Sequence, residues 1–133
     1  MKYIKRFDER SVLSIKNPWA YLVVLGIKDI ENRSWKTNYR GKLLIHATQT
    51  PIKFNSYNEL FTSDQIKIIQ DNNINFNQMI NSAIIGDVEL IDCIQNSNSL
   101  WAETGQWHWV LSTPKIYSTP MLNIKGSLSI WKY

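Results

Sequence analysis

The sequence is poor in cysteine, because Cys93 is the only one among 133 residues. A single cysteine cannot form an internal disulfide bond, and a zinc site built from cysteine ligands requires more than one thiolate. Both features are therefore excluded within one chain. Cys93 lies in the apolar stretch VELIDCIQ, where a cysteine is typical of a small buried hydrophobic residue rather than of a nucleophile.

Glycine and histidine are also scarce, with five and two residues respectively. No glycine-rich loop of the kind that cradles phosphates is present, which argues against a P-loop nucleotide hydrolase or a Rossmann enzyme. His46 and His108 are far apart in the sequence, and neither has a partner at the spacing of a zinc site. We therefore expect both to be hydrogen-bonded residues of a sheet rather than ligands. No metal and no cofactor is predicted.

Long apolar runs are absent as well. No segment approaches the length of a membrane span, and the opening MKYIKRFDER has basic residues without the apolar stretch of a secretory signal. We therefore expect a cytoplasmic protein without membrane association. The length and the 44% content of hydrophobic residues favour a single folded domain over residues 1–133.

Positive charge is concentrated near the amino terminus. Residues 1–42 contain ten Lys and Arg against four Asp and Glu, whereas residues 43–133 contain five against seven. A basic surface with aromatic residues nearby suits a polyanion, because cations neutralise phosphates and rings stack on bases. The alternative is that the first basic residues only solubilise a chain terminus. These residues are Lys2, Lys5, Arg6 and Arg10.

The pattern of apolar residues predicts a sheet with few helices. A short helix is expected over residues 17–26, with Asn17 as its cap, Pro18 at its first position and Gly26 as its left-handed end. A second helix is expected at 63–73, capped by Ser63. Strands are expected at 11–16, 28–35, 41–47, 83–94, 106–112 and 126–133, with a bulge at Gly86 and a separate extended piece at 115–119. Strands that do not alternate regularly with helices favour an α+β fold, a mixed β-barrel of five or six strands with two or more packed helices.

The stretch GIKDIENRSW, which begins at Gly26, combines charged and apolar side chains unusually densely. If it forms one strand, Glu31, Arg33 and Trp35 share a face and Lys28 points to the other. An acid, a guanidinium and an indole then lie in a row. Ion pairing alone would contribute little at an exposed position, so this arrangement favours a binding function.

The block LSIKNPWAYLVVLGIKDIENRSWKTNYRGKLLIHA resembles the N-terminal block of ASCH domains, in particular small bacterial single-domain members. The signature of that family is met by Gly26, Lys28, Glu31 and Arg33. The later stretches IIGDVELIDC, WHWVLSTP and KGSLSIW are also similar, so the resemblance covers residues 12–131. It implies a small barrel related to the PUA RNA-binding domain, with a cleft beside the signature that binds RNA or a nucleotide-like molecule.

The resemblance leaves binding and catalysis open, because some ASCH members remove the acetyl group from N4-acetylcytidine and at least one is described as a ribonuclease. Lys28 matches the signature lysine of the amidohydrolases, which have threonine where this chain has Glu31. Their catalytic glutamate lies in a later segment, where Glu103 is the nearest candidate by position. An enzyme of either kind is the alternative to a binding module, and a protein-interaction adaptor is a third possibility. The oligomeric state is not predicted.

Three residues of the signature are expected to make the polar contacts with a ligand in the cleft. Lys28 is expected to bind ligand oxygens, with a catalytic base and a plain surface salt bridge to Glu31 as alternatives. Glu31 would accept a hydrogen bond from an amine on a base edge. Arg33 would hold a phosphate or a carbonyl, unless it only pins its strand to a neighbouring carboxylate.

Aromatic residues complete the expected cleft. Trp109 and Trp131 lie in apolar strand runs and are expected in the core. Trp19 and Trp35 are candidates for a wall on which a base stacks, with a purely structural role as the alternative. Ser14 is expected to project into the same cleft, without the Gly-x-Ser-x-Gly motif of a serine nucleophile. The elements expected to form the cleft are the helix at 18–25, the strand at 28–35 and part of 101–109.

Overall fold

The computed structural model describes residues 10–133, so Lys2, Lys5 and Arg6 lie outside the described residues. Over this range, six strands form one mixed sheet that curls into a half-barrel, accompanied by two α-helices. This is the α+β, PUA-like barrel architecture expected from the sequence. The elements are β1 (Ser11–Ile15), α1 (Trp19–Val24), β2 (Ile30–Arg33), β3 (Gly41–Ala47), α2 (Ser63–Asp71), β4 (Ala83–Ile94), β5 (Trp107–Met121) and β6 (Ile130–Lys132).

The strand order β2-β5-β4-β3-β1-β6 leaves β2 and β6 at the two edges of the sheet. Strands β1 and β3 are parallel, and the other neighbours are antiparallel. The register places Ser14 beside His46 on the parallel pair. It places Asn32 beside His108 on β2 and β5. These two pairs set the positions of the side chains that build the candidate site.

The main core lies between α1 and the concave face of the sheet. Helix α1 has only six residues, but its side chains Ala20, Val23 and Val24 are buried against β3, β4 and β5. Such a short helix is marginal alone, so tertiary packing of its apolar side chains stabilises it. Trp109 is fully buried in the same core, as expected, whereas Trp131 is only partly buried at a separate cluster.

A second core is built by the segment between β3 and β4, in which a helix at 63–73 is the only element that the sequence predicts. Phe61 and Ile69 from this segment pack with Leu22, Ile30 and Trp101. Further aromatic rings surround Phe61, with centroid distances of 5.1–6.3 Å. The segment is therefore a packed part of the domain, and it carries side chains to one end of the cleft.

Gly86 marks an irregularity in β4, as the sequence predicts. A Cβ atom at Gly86 would lie 2.1 Å from the carbonyl oxygen of Lys115 and 2.7 Å from Cγ1 of Val24. The pairing of β4 with β5 shifts register between Ile84 and Gly86. Only glycine permits this close approach of two strands and a helix.

Strand β2 is shorter than expected. The backbone N–H of Lys28 donates to the carbonyl oxygen of Leu22 at 3.1 Å, so the chain is still completing the end of α1 at the point where the strand was expected to begin. Gly26 has the predicted left-handed conformation, with φ +79°. The prediction of one strand over 28–35 is therefore wrong at both ends, since β2 also stops at Arg33.

Other boundaries were also misplaced. Strand β5 runs through Pro114 and includes the piece expected to be separate. Because β2 pairs only with residues 107–110 of β5, one side of the later part of β5 is an open edge, where proline is tolerated. Helix α2 is capped by Thr62 and not by Ser63: Thr62 Oγ1 accepts from the N–H of Gln65 at 3.2 Å, and Gln65 Oε1 accepts from the N–H of Thr62 at 3.0 Å. A reciprocal capping box outweighs a single hydroxyl.

Candidate ligand-binding cleft

A cleft with two adjacent chambers, which share lining residues, lies beside β1, β2 and the start of α1. The first chamber has a volume of about 780 Å³ and the second about 380 Å³. Trp19, Glu31 and Asn32 line both chambers and form the partition between them. Polar residues of the first chamber include Ser14, Lys16, Arg33, His46 and Lys125. Polar residues of the second include Lys28, Gln65 and Glu103.

Three charged side chains of the signature meet at the partition and form an ion triad, defined as Lys28, Glu31 and Arg33. Lys28 Nζ lies 3.3 Å from Glu31 Oε1, and Arg33 Nε lies 3.0 Å from Glu31 Oε2. Each carboxylate oxygen thus faces a different cation. Lys28 Nζ also donates to the carbonyl oxygen of Ile30. The triad presents its ammonium to the second chamber and its guanidinium to the first.

Two of the three members of the ion triad are largely withdrawn from water. Lys28 is 5% exposed and Glu31 is 7% exposed. The interpretation of their pairing as a plain surface salt bridge is therefore wrong. The expectation that Lys28 points away from Glu31 is also wrong, because Lys28 precedes β2 and reaches Glu31 from the end of α1 rather than by strand alternation.

Arg33 joins two strands that are not neighbours in the sheet. Its Nη2 donates to the carbonyl oxygen of Ser14 on β1 at 3.0 Å, whereas Arg33 itself lies on the edge strand β2. Arg33 therefore spans the open side of the half-barrel, where the cleft lies. The carboxylate that Arg33 contacts is that of Glu31, on its own strand. The link from β2 to β1 is therefore made through the carbonyl oxygen of Ser14 and not through a carboxylate.

Trp19 forms an aromatic wall of both chambers. Its ring lies 5.1 Å from Phe61 and 6.4 Å from Trp101 in edge-on geometry, and Lys28 Nζ lies 5.7 Å from its centroid. Trp35 is located elsewhere. It packs edge-on against Trp109 at 4.7 Å, its carbonyl oxygen accepts from Trp109 Nε1, and it lines neither chamber.

Ser14 and His46 form a hydrogen-bonded pair in the first chamber. Ser14 Oγ lies 2.9 Å from His46 Nδ1 and accepts from Trp131 Nε1 at 3.0 Å. His46 Nε2 lies 2.7 Å from the carbonyl oxygen of Ile124, to which it must donate. The prediction that His46 is a hydrogen-bonded histidine of the sheet is confirmed. The pair fastens residues 122–129 to the sheet.

Glu103 lies in the second chamber with its backbone held on both sides. The N–H of Glu103 donates to Asn32 Oδ1 at 2.9 Å, and its carbonyl oxygen accepts from His108 Nε2 at 2.6 Å. Asn32 Nδ2 also donates to the carbonyl oxygen of Trp101 at 2.9 Å. His108 Nδ1 accepts from the N–H of Ser97 at 3.1 Å, so His108 is also the hydrogen-bonded residue that the sequence predicted.

Several residues of the cleft were missed by the sequence analysis. Lys16 and Lys125 contribute cations, and Asn32 lines both chambers and holds Trp101 and Glu103 at the wall of the second chamber. They come from separate segments and carry no motif, so no spacing in the sequence relates them. Asn32 alone had a signal, because it lies between Glu31 and Arg33.

A tyrosine with a perturbed pKa lies outside the cleft. Tyr117 donates to Asp87 at 2.6 Å, and burial together with this bond to a carboxylate raises the pKa of the Tyr117 phenol. Tyr117 lines neither chamber. Within residues 10–133, no group of three or more His, Cys, Asp or Glu side chains is arranged to hold a metal ion. No helix in that range has the length and apolar character needed to cross a bilayer.

Comparison with known proteins gives two findings. The family model of the ASCH domain matches residues 13–119. The chain is also 37% identical over 89 residues to proteins named activating signal cointegrator 1 from Homo sapiens and from Mus musculus. The matched part is 66% of this chain but only 15% of each of those proteins, so the chain corresponds to a small part of their length.

Proposed function

The chain belongs to the ASCH domain family, and from this membership together with the cleft we propose that it binds RNA or a nucleotide-like ligand beside the ion triad. Phosphates, ribose hydroxyls and base edges offer the oxygens and N–H groups that ammonium, guanidinium and carboxylate groups recognise. The proposal concerns this chain alone and implies nothing about ligands of the longer relatives.

The burial of the ion triad at the partition is the observation that carries the proposal. Taking ions out of water is expensive, and apolar residues of similar volume often give equal or greater stability. Three charges that remain at the wall of a cleft, beside an indole, are therefore better explained by ligand binding than by folding. The cleft also has the size and mixture of aromatic and polar groups that small-molecule sites have.

In this proposal each residue has a distinct role. Lys28 binds ligand oxygens from the second chamber, and Glu31 accepts from a base amine while it orients Lys28 and Arg33. Arg33 and Ser14 contact ligand oxygens in the first chamber. Trp19 stacks on a base, which contributes on the order of 1–3 kcal/mol. Trp35 supports the site indirectly by packing on Trp109, whose ring lies 6.0 Å from the guanidinium carbon of Arg33.

Titration of tryptophan fluorescence with a single-stranded RNA oligonucleotide at two salt concentrations tests the proposal. We expect saturable binding that weakens as salt rises, because phosphate contacts release counterions. Arg33→Gln should weaken binding by about tenfold, the value of one charge-assisted hydrogen bond, and Lys28→Met should act in the same direction. Lys67→Ala is the matched control, since Lys67 lies on α2, is exposed and pairs with Asp71.

Thermal unfolding must accompany these titrations, because removal of one partner from a buried ion pair costs about 3–5 kcal/mol. Arg33 is the more informative position, since its side chain is 23% exposed and the loss is smaller there. Absence of saturable binding by the wild-type protein rejects the proposal. So does an unchanged affinity for a folded Arg33→Gln protein.

A second candidate function is hydrolysis of an acyl amide on a cytosine base. The favouring observation is that Lys28 and Glu103 line the same chamber. Glu103 would take a proton from water as the water oxygen attacks the acyl carbon, and the Lys28 ammonium would stabilise the resulting oxyanion. Collapse of this intermediate would break the bond between the acyl carbon and N4, and Glu103 would return its proton to N4, so that acetate and cytidine leave. Release of acetate from N4-acetylcytidine, abolished in Glu103→Gln with binding retained, is the expected result for this enzyme. No release by the wild-type protein rejects it.

The same protein and RNA samples distinguish two further alternatives, a ribonuclease and a protein-interaction adaptor. A ribonuclease would shorten the RNA oligonucleotide during the titration, which electrophoresis detects directly. An adaptor that only binds proteins would show neither RNA binding nor turnover. A single domain over residues 1–133 and a cytoplasmic location remain predictions made from the sequence.

A further inference from the structure

The two chambers differ in charge. Glu31 is the only carboxylate among the described residues that line the first chamber, which also contains three cations. The second chamber has two carboxylates and one cation. The cations of the first chamber are Lys16, Arg33 and Lys125, and the charged residues of the second are Lys28, Glu31 and Glu103. An anionic group is therefore more stable in the first chamber than in the second.

One wall of the first chamber also has backbone N–H groups that lie outside the hydrogen-bond network of the described residues. Residues 125–129 form one of its walls, and none of the hydrogen bonds formed among residues 10–133 has a backbone N–H of this segment as its donor. A Cβ at Gly126 would lie 2.7 Å from Ser14 Oγ and 2.6 Å from His46 Cε1. The backbone of the segment is thus held directly against Ser14 and His46. Free N–H groups beside lysines are a common form of phosphate site.

The second chamber suits a base rather than a phosphate. Trp19 and Trp101 supply ring surfaces. The amide groups of Asn32 and Gln65 are already hydrogen-bonded to backbone atoms, so the carboxylates are the principal acceptors left for a ligand. A carboxylate accepts from the N–H groups of a base edge, whereas it repels a phosphate.

From this asymmetry, and resting on the proposed function, we infer that the cleft takes one unpaired nucleotide with its phosphate in the first chamber and its base in the second. The sugar crosses the partition beside Trp19 and Glu31. A base in this position is out of any stack, so the preferred ligand is a mononucleotide or a single-stranded nucleotide and not a duplex. The phosphate, rather than the base alone, then supplies much of the affinity.

Comparison of nucleotides with their nucleosides tests the inference. The probes are the 3′- and 5′-monophosphates of adenosine, cytidine, guanosine and uridine, together with the four nucleosides, each titrated against tryptophan fluorescence. We expect at least one monophosphate to bind about tenfold or more tightly than its nucleoside, as a charge-assisted hydrogen bond provides. In the double variant Lys16→Ala with Lys125→Ala this advantage should fall severalfold, because only Arg33 then remains as a cation of the first chamber, while the affinity for the nucleoside is unchanged.

Two controls complete the design. Lys67→Ala should keep the full preference for the monophosphate. Glu103→Gln should change the affinities for nucleoside and monophosphate by the same factor, because it alters only the second chamber. Both lysines are at the cleft surface and outside the cores, and a thermal melt verifies that the double variant is folded.

The outcomes separate this inference from the proposed function. Equal affinity of every monophosphate and its nucleoside, with RNA still bound, overturns the inference alone. A preference for the monophosphate that is as large in the double lysine variant as in the wild-type protein also overturns it, because the phosphate then does not lie beside these lysines. Absence of binding by nucleosides, monophosphates and RNA alike rejects the proposed function together with the inference.

Discussion

The walls of the two chambers are fastened to the sheet by two histidines in different ways. His46 on β3 holds residues 122–129, the first wall, through the carbonyl oxygen of Ile124. His108 on β5 holds residues 95–106, the second wall, through the carbonyl oxygen of Glu103. Both imidazoles are almost fully buried, with 1% and 2% exposure. Each histidine uses both ring nitrogens.

The difference lies in the second partner of each ring. His46 Nδ1 faces the hydroxyl of Ser14, which also accepts from Trp131, so the first wall is held by a network of side chains. His108 Nδ1 accepts from a backbone N–H, that of Ser97, so the second wall is held through the main chain. A hydroxyl can rotate to serve as donor or acceptor, whereas a backbone N–H cannot. The second wall should therefore be the more sensitive to loss of its histidine.

Replacement of His108 by alanine should have the largest effect. It removes two hydrogen bonds of the second wall and leaves a cavity in a buried position, at a cost of about 2–4 kcal/mol. Urea unfolding measures the loss. Native-state hydrogen exchange should become faster in residues 95–106 and remain unchanged in residues 122–129, because each histidine holds only its own wall.

The matched variant His46→Ala sharpens this prediction. It should accelerate exchange of the Ile124 N–H, which donates to the carbonyl oxygen of Ser82, and leave residues 95–106 as they are. If either variant accelerates exchange in both segments, the walls are one cooperative unit and the comparison drawn above is wrong.

Gly126→Ala should have an intermediate effect, confined to the first wall. The added methyl would lie 2.6–2.8 Å from atoms of His46 and Ser14, and overpacking of this kind typically costs about 1–3 kcal/mol. Gly105→Ala is the control in the second wall: Gly105 has φ +87° but no atom within 4 Å of the added Cβ, so only backbone strain of about 1–2 kcal/mol is expected.

The readout that separates these two glycine variants is ligand binding. Gly126→Ala should reduce the preference for a nucleotide over its nucleoside, and Gly105→Ala should preserve it. A Gly126→Ala protein with wild-type stability and wild-type binding would contradict this prediction. It would show that residues 122–129 can move away from Ser14 and His46 to accommodate the methyl group without cost.

The two central strands of the sheet could be predicted because their side chains alternate or are continuously apolar. Strands β3 and β4 have the bounds expected from GKLLIHA and AIIGDVELIDCI. Leu43 and Ile45 face the main core, whereas Leu44 belongs to a different cluster, as alternation predicts. Local capping was less predictable, because Thr62 and Ser63 are both good caps and only the reciprocal bond of Gln65 distinguishes them.

The signature residues were identified from the sequence, but their mutual arrangement was not. Lys28 reaches Glu31 because the chain turns at the end of α1 before β2 begins, and strand alternation cannot represent that turn. The walls were missed for a different reason. Their contacts join residues far apart in the chain, 78 residues for His46 with Ile124 and 71 for Asn32 with Glu103, and no single-sequence pattern reports such pairs.

Asn32→Ala should have the smallest effect and is the most specific test of the second wall. It releases the N–H of Glu103, whose bond is exposed, and the carbonyl oxygen of Trp101, whose bond is partly buried, so we expect a loss of only about 1 kcal/mol in stability. Affinity for a nucleoside should fall further than that, because Glu103 and Trp101 lose their fixed positions in the second chamber. Asn32→Asp keeps an acceptor for the N–H of Glu103 and should retain more of the binding than alanine does. If alanine and aspartate lower stability and affinity equally, the bond to Glu103 does not position that carboxylate, and His108 alone holds the wall.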